Sequence, residues 1–190
     1  MIRYPNGINK KNEKPKIYGN RGMTLENEIN STNEYYLINN IAVVYKKPTP
    51  IQVVKQKEGK IVDAFFKSPS TTDYNGLYNG LYIDFEAKET TSKTNFPLNN
   101  IHPHQIKHIR NVITHKGIVF LIVRFTKLNK TYLLFGKDFI NFIDSNDRKS
   151  IPIDYFDKMG YIIKDKLGAK VDYINILENF GGIYEKKNKN

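Results

Sequence analysis

The 190-residue chain has no cysteine. A disulfide framework, a thiolate zinc site and a cysteine nucleophile are therefore excluded, and the composition fits a reducing cytoplasm. Long apolar runs are missing too. I-V-F-L-I-V at 118–123 has the length of a strand, far short of the ~18 apolar residues of a membrane span. The opening M-I-R-Y-P-N-G-I-N-K-K-N-E-K has no apolar stretch of signal-peptide length. The expectation is a soluble, cytoplasmic protein with no membrane partner. Acidic charge is scarce: 19 Asp and Glu stand against 30 Lys and Arg, a net charge of +11. That excess favours a polyanionic partner, of which nucleic acid is the commonest. An anionic membrane surface fits less well, because no basic amphipathic helix with a bulky apolar face is visible. Charge names a class of partner and no chemistry.

The length suits one domain able to bury its own core. Residues 1–20 carry Arg3, Lys10, Lys11, Lys14 and Lys16 against Glu13 alone, and read as a flexible basic arm or a solvated tail. A single domain is expected over 21–182, with a polar Lys/Asn tail over 183–190. From Arg21 the pattern is helical, with Met23, Leu25, Ile29, Tyr36 and Leu37 on one stripe and Glu26 and Glu28 near its start. The strand-like I-A-V-V-Y follows, and K-K-P-T-P breaks it. Two β-rich runs joined by Glu-Gly then predict a hairpin. Lys46, Lys47, Lys55, Lys57 and Lys60 make segment 46–62 a candidate basic projection; the alternative is a solvated hairpin. Turn-rich S-P-S-T-T-D-Y-N-G-L-Y-N-G precedes a strand, and a helix starts near Pro103 with Ile106, Ile109, Val112 and Ile113 as its apolar stripe. Strands G-I-V-F-L-I-V-R-F and T-Y-L-L-F-G come next, then short helices. No internal repeat is present. This order predicts an α/β fold, a mixed central sheet flanked by helices.

Y-I-D-F-E-A-K-E-T at 82–90 carries the chemistry. Strand side chains alternate faces, so Asp84, Glu86 and Lys88 share one face, about 6.6 Å apart, and Ile83, Phe85 and Ala87 the other. One reading is a half-buried strand with a wet outer face. The other is a metal-dependent active site. Asp73 precedes Glu86 by thirteen residues, across turn material that can set it beside the strand. The pattern D-x(12)-E-x-K then gives two convergent carboxylates, a hard-oxygen site suited to Mg²⁺ or Mn²⁺. A bound cation lowers the pKa of water and offsets charge on a phosphate. Lys88, facing the same way, steadies developing negative charge or orients the attacking water.

D-x(12)-E-x-K resembles the signature of the PD-(D/E)XK nuclease superfamily, with Thr72 where its proline stands. The wider stretch S-T-T-D-Y-N-G-L-Y-N-G-L-Y-I-D-F-E-A-K-E-T-T-S-K-T-N-F-P-L, followed by H-P-H-Q-I-K-H, resembles the RecU family of Holliday-junction resolvases. So do Y-P-N-G, G-N-R-G-M-T-L-E at 19–26 and Y-K-K-P-T-P at 45–50, and the resemblance extends to D-Y-I-N-I at 172–176. It implies a homodimeric, Mg²⁺-dependent endonuclease, with Mn²⁺ as a substitute. Such an enzyme makes paired nicks in four-way junctions during recombination and repair, beside recombinase and branch-migration proteins. It places the metal ligands on Thr71, Asp73, Glu86 and Gln105, the transition-state lysine on Lys88, and a junction-entering stalk on the segment bearing Lys46 to Lys60.

Other residues read two ways. Asp84 is a further acid or a structural support. Glu26 is an outer acid or a helix cap. His104 and His108 have zinc-ligand spacing, but no third ligand matches, which leaves phosphate contact or plain surface exposure. Tyr74, Tyr78 and Tyr82 stack on bases or pack in turn and strand. Two rival functions stand beside the resolvase: a non-catalytic basic binder of DNA or RNA, and a restriction-type nuclease acting on linear duplex.

Overall fold

The computed structural model describes residues 24–67 and 71–179. The basic arm over 1–20, Met23 and the tail over 183–190 lie outside them. Helix α1, Leu25–Ile38, starts where the Thr24 side chain accepts the Asn27 N–H, with Glu26 and Glu28 in the first turn, where acids favour the helix dipole. Leu25, Ile29, Thr32, Asn33 and Tyr36 are its buried residues. Leu37, expected on that stripe, is 43% exposed. It lies one position past Tyr36, about 100° further round the helix, and Thr32 and Asn33 fill the phase instead.

Strand β1 is Val43–Lys46, β2 Ile51–Lys57, β3 Lys60–Phe66, β4 Tyr74–Tyr78 and β5 Leu81–Thr90. After β6, Asn95–Pro97, comes α2, Pro103–Thr114, then β7, Ile118–Phe125, and β8, Lys130–Phe135. Helix α3, Gly136–Ser145, strand β9, Ser150–Pro152, helix α4, Ile153–Met159, and strand β10, Tyr161–Ile162, follow. A last helical run covers 174–179. The main sheet has the order β1-β4-β5-β7-β8-β10. Every neighbouring pair is antiparallel except β5 and β7, which are parallel and joined by the crossover through α2. This is the expected mixed sheet flanked by helices.

Both faces of the sheet carry apolar cores. Ile83, Phe85, Phe120, Ile122 and Leu133 join α1 and Tyr173, Ile174 and Leu177 on one side. Tyr74, Phe85 and Phe120 stack in series with centroids 4.8 Å apart. Val119, Leu121, Val123 and Phe125 turn the other way, to Ile109 of α2, Phe139 and Phe142 of α3, and Phe156 of α4. A strand buried on both faces reads as a continuous apolar run, as β7 does. Strand β5 differs. Ile83, Phe85 and Ala87 join the first core, while Asp84, Glu86 and Lys88 occupy the α2 side.

Two turns set the registers. Asn79 and Gly80 have φ of 47° and 77°, and Glu58 and Gly59 have 50° and 74°. Two consecutive left-handed residues make the two-residue hairpin turn whose twist matches its strands. In the β4–β5 hairpin Tyr78 pairs with Leu81 and Tyr74 with Phe85. One step beyond, Asp73 stands opposite Glu86. The β2–β3 hairpin forms a separate two-stranded sheet. It covers Ile51–Phe66, later than the 46–62 segment expected from sequence, because K-K-P-T-P breaks the chain after β1 and leaves Lys46 in the main sheet. All of β3 is exposed, and in β2 only Val53 is half-buried. Among the described residues no helix is long and apolar enough to cross a membrane.

Candidate active site

Five residues from three segments converge: Thr71 and Asp73 before β4, Glu86 and Lys88 on β5, and Gln105 in the first turn of α2. The Asp73 carboxylate accepts the Ala87 N–H at 3.2 Å, which pins it to β5. The Gln105 amide donates to the Thr71 carbonyl at 3.1 Å, and its oxygen accepts the His102 N–H at 2.9 Å. One side chain thus joins the start of α2 to the loop that carries Asp73.

Glu86 is wholly buried. Lys88 Nζ lies 2.5 Å from Glu86 Oε1 as an ion pair, and among the described residues neither carboxylate oxygen has a donor in hydrogen-bond geometry. Burial, and then the negative charge of Asp73, push Glu86 up to about 7, against the pull of Lys88 and Gln105. A buried acceptor without a donor is costly. Oxygens from Asp73 and Glu86, with the neutral oxygens of Thr71 and Gln105, form a donor set that suits a hard divalent cation, which would relieve both the orphaned oxygens and the mutual repulsion. Lys88 and Asp73 also line an open groove with Thr24, Glu26 and Glu89. Glu89 accepts the Leu25 N–H at 3.2 Å, which docks the start of α1 at this groove.

Asp84 is equally buried but fully partnered. Lys47 Nζ lies at 2.6 Å, the Tyr82 hydroxyl at 2.6 Å and His108 Nε2 at 3.1 Å, and the Thr72 hydroxyl donates as well. Burial alone would raise this carboxyl; Lys47, Thr72 and Tyr82 outweigh it and hold Asp84 below the usual range. The reading of a wet outer face therefore does not hold for Asp84 or Glu86.

The lysines divide. Lys55, Lys57 and Lys60 are exposed on the hairpin. Lys46 pairs with Glu26 at 2.5 Å. Lys47, expected with them on the projection, turns inward, its side chain only 14% exposed. Its direction depends on the pleat at the end of β1, and Asp84 as its partner has no signature in sequence. Of the histidines, His108 belongs to Asp84, and His102 stacks on His104 with centroids 5.4 Å apart. Among the described residues no group of three or more His, Cys, Asp or Glu is placed to hold a metal ion. Tyr74 and Tyr78 are buried, and Tyr82 remains 41% exposed.

A mixed sheet flanked by helices, with a carboxylate and a lysine on β5 and a second carboxylate just before β4, is consistent with a nuclease-like fold of the PD-(D/E)XK kind. Comparison with known proteins narrows this. A model of the family described as "Recombination protein U" (RecU) matches residues 20–179. The chain is 50% identical over 193 residues to the Holliday junction resolvase RecU of Bacillus cytotoxicus, covering 93% of this chain and 96% of that one. It is 46% identical over 199 residues to the Holliday junction resolvase RecU of Streptococcus agalactiae, covering 97% and 100%. A protein of the same name from Streptococcus thermophilus is 45% identical over 195 residues, covering 96% and 98%. The chain belongs to the RecU family.

Proposed function

We propose that this protein is a Holliday-junction resolvase: a Mg²⁺-dependent endonuclease, with Mn²⁺ as a substitute, that makes paired symmetric nicks in four-way DNA junctions during recombination and repair. The observation that carries the reading is the Glu86 carboxylate, buried, without a hydrogen-bond donor among the described residues and set opposite Asp73 in a chain of this family. A cytoplasmic setting agrees with the lack of cysteine.

Asp73 and Glu86, with Thr71 and Gln105, would hold the cation. When bound, a divalent cation supplies Lewis acidity toward water and the scissile phosphate. Lys88 is the chain's own electrophile. Its side chain faces the same side as Glu86, is 29% exposed and lines the groove, so a phosphate entering there comes within its reach. There it stabilises charge as it develops on the phosphate oxygens. Lys55, Lys57 and Lys60 on the hairpin neutralise backbone phosphates, which makes binding sensitive to salt and indifferent to sequence. A four-way junction has approximate two-fold symmetry, and two matched nicks call for two matched sites, so the working unit is a C2 homodimer. Recombinase and branch-migration proteins are the fitting protein partners for such an activity.

The test sets a labelled four-way junction beside a matched linear duplex, each with and without Mg²⁺ or Mn²⁺, for the wild type, Glu86→Ala and Lys88→Ala. Paired, metal-dependent nicks in the junction alone, lost in both variants, are the expected result. Tight binding without cleavage under any metal would leave a basic binding protein, and sequence-defined cleavage of the duplex would make it a restriction-type nuclease.

A further inference from the structure

Asp73 sits where the strand ladder ends. Strand β4 pairs with β5 only from Tyr74 onward, so the Thr71–Asp73 segment needs another anchor. Lys47 grips that segment at three points. Its ammonium donates to Thr71 Oγ1 at 3.1 Å and to Thr72 Oγ1 at 2.7 Å, and its backbone N–H donates to the Asp73 carbonyl at 2.8 Å. The same ammonium meets the buried Asp84 carboxylate at 2.6 Å. Asp84 also takes the Thr72 hydroxyl and, through His108 at 3.1 Å, holds α2, the helix whose Gln105 binds the Thr71 carbonyl. One buried ion pair therefore ties β1, the loop before β4, β5 and α2 together, directly behind Asp73 and Glu86.

We propose that Lys47 is a positioning residue and makes no contact with DNA: through Asp84 it holds Thr71–Asp73 so that Asp73 stands opposite Glu86. The inference rests on the nuclease reading for its link to catalysis. It differs from the reading of Lys47 as one more basic residue of the DNA surface, and the two make opposite forecasts. A phosphate-binding lysine contributes about one unit to the salt slope and weakens binding when removed. A lysine that orders cation ligands leaves binding alone and costs about 10- to 100-fold in metal affinity or rate.

The experiment compares full-length wild type, Lys47→Met, Asp84→Asn and the double variant Lys47→Met/Asp84→Asn. Junction affinity is measured across a salt series in chelator. The Mn²⁺-induced rise in melting temperature and the single-turnover cleavage rate against Mn²⁺ concentration are measured beside it. For Lys47→Met the expected result is a junction Kd within about twofold of wild type and an unchanged salt slope. The Mn²⁺-induced melting shift falls, and half-maximal cleavage needs at least ~10-fold more Mn²⁺. The double variant should be no worse than the poorer single variant, because both act through one contact. It also carries the test if Lys47→Met fails to fold, since it leaves no unpaired buried charge. A salt slope reduced by about one with an unchanged Mn²⁺ response would make Lys47 a DNA contact. No change in any readout, or independent multiplication of the two single losses, would overturn the proposal as well. If the wild type cleaves nothing, the nuclease reading fails, while the salt slope and melting shift still decide what Lys47 does.

Discussion

Asp84 and Glu86 are two solutions to one problem on the same face of one strand. Both carboxylates are wholly buried, one pleat apart. The Asp84 pocket surrounds its charge with Lys47, Thr72, Tyr82 and His108 and lowers its pKa. The Glu86 pocket supplies an ion pair with Lys88, no hydrogen-bond donor among the described residues and the repulsion of Asp73, and raises it. A protein that can satisfy a buried acid completely two residues away has left this one unsatisfied, at a site where ligand binding would repay the cost. The difference separates a carboxylate that holds structure from one kept ready for chemistry.

The sharpest way to break the contrast is to neutralise each acid in turn. Glu86→Gln should lower single-turnover cleavage by at least ~100-fold. Asp84→Ala should instead strike stability: it strands the Lys47 ammonium and should cost about 3 kcal/mol, read by urea denaturation of the metal-free protein. The pH dependence then distinguishes the two acids by sign. Glu86 has a folded pKa of about 7 against an ordinary 4.5, so between those values the folded state binds the extra proton. Its contribution to stability therefore falls as pH rises through that window, and Glu86→Gln should flatten the decline. Asp84 is shifted the other way; its stabilisation is present above the ordinary carboxylate range and is lost as pH falls through its lowered pKa. Melting curves from pH 8 down to about pH 2 check both signs, and a wild-type curve that rises from pH 5 to pH 7 no less than that of Glu86→Gln would contradict the assignment. A smaller effect tests what sets Glu86 opposite Asp73: Gly80→Ala, at φ 77°, should cost on the order of 1 kcal/mol.

Much of this contrast is legible in the sequence, for a local reason. Alternation along 82–90 puts Asp84, Glu86 and Lys88 on one face, and Asn79-Gly80 is a strong short-range hairpin signal, so the thirteen-residue interval between Asp73 and Glu86 follows from turn and register alone. The inward turn of Lys47 is not legible. Lys46 and Lys47 are adjacent, alike and on opposite faces, and which one is buried depends on β1 pairing with β4, a contact far away in sequence. The same limit applies to Leu37, where helix periodicity permits two phases and only the packing of Thr32 against Val171 and Asn33 against Tyr173 selects one. Thr71 and Gln105 enter through family resemblance. They meet through a single amide-to-carbonyl bond that no spacing rule anticipates.

The solitary hairpin has a consequence for the protein before any DNA arrives. Both of its strands are edges, and Ile61, Val62, Phe65 and Phe66 are exposed along it, Phe66 by 75%. Such a ribbon is a template on which a second ribbon can add. Lys55, Lys57 and Lys60 act as gatekeepers, since like charge keeps two copies from aligning in register. A polyanion that neutralises them removes that guard. Clumping should therefore set in where one polyanion neutralises several ribbons side by side, and high dilution or a large excess of DNA, which spaces the ribbons apart, is the regime in which each stays single.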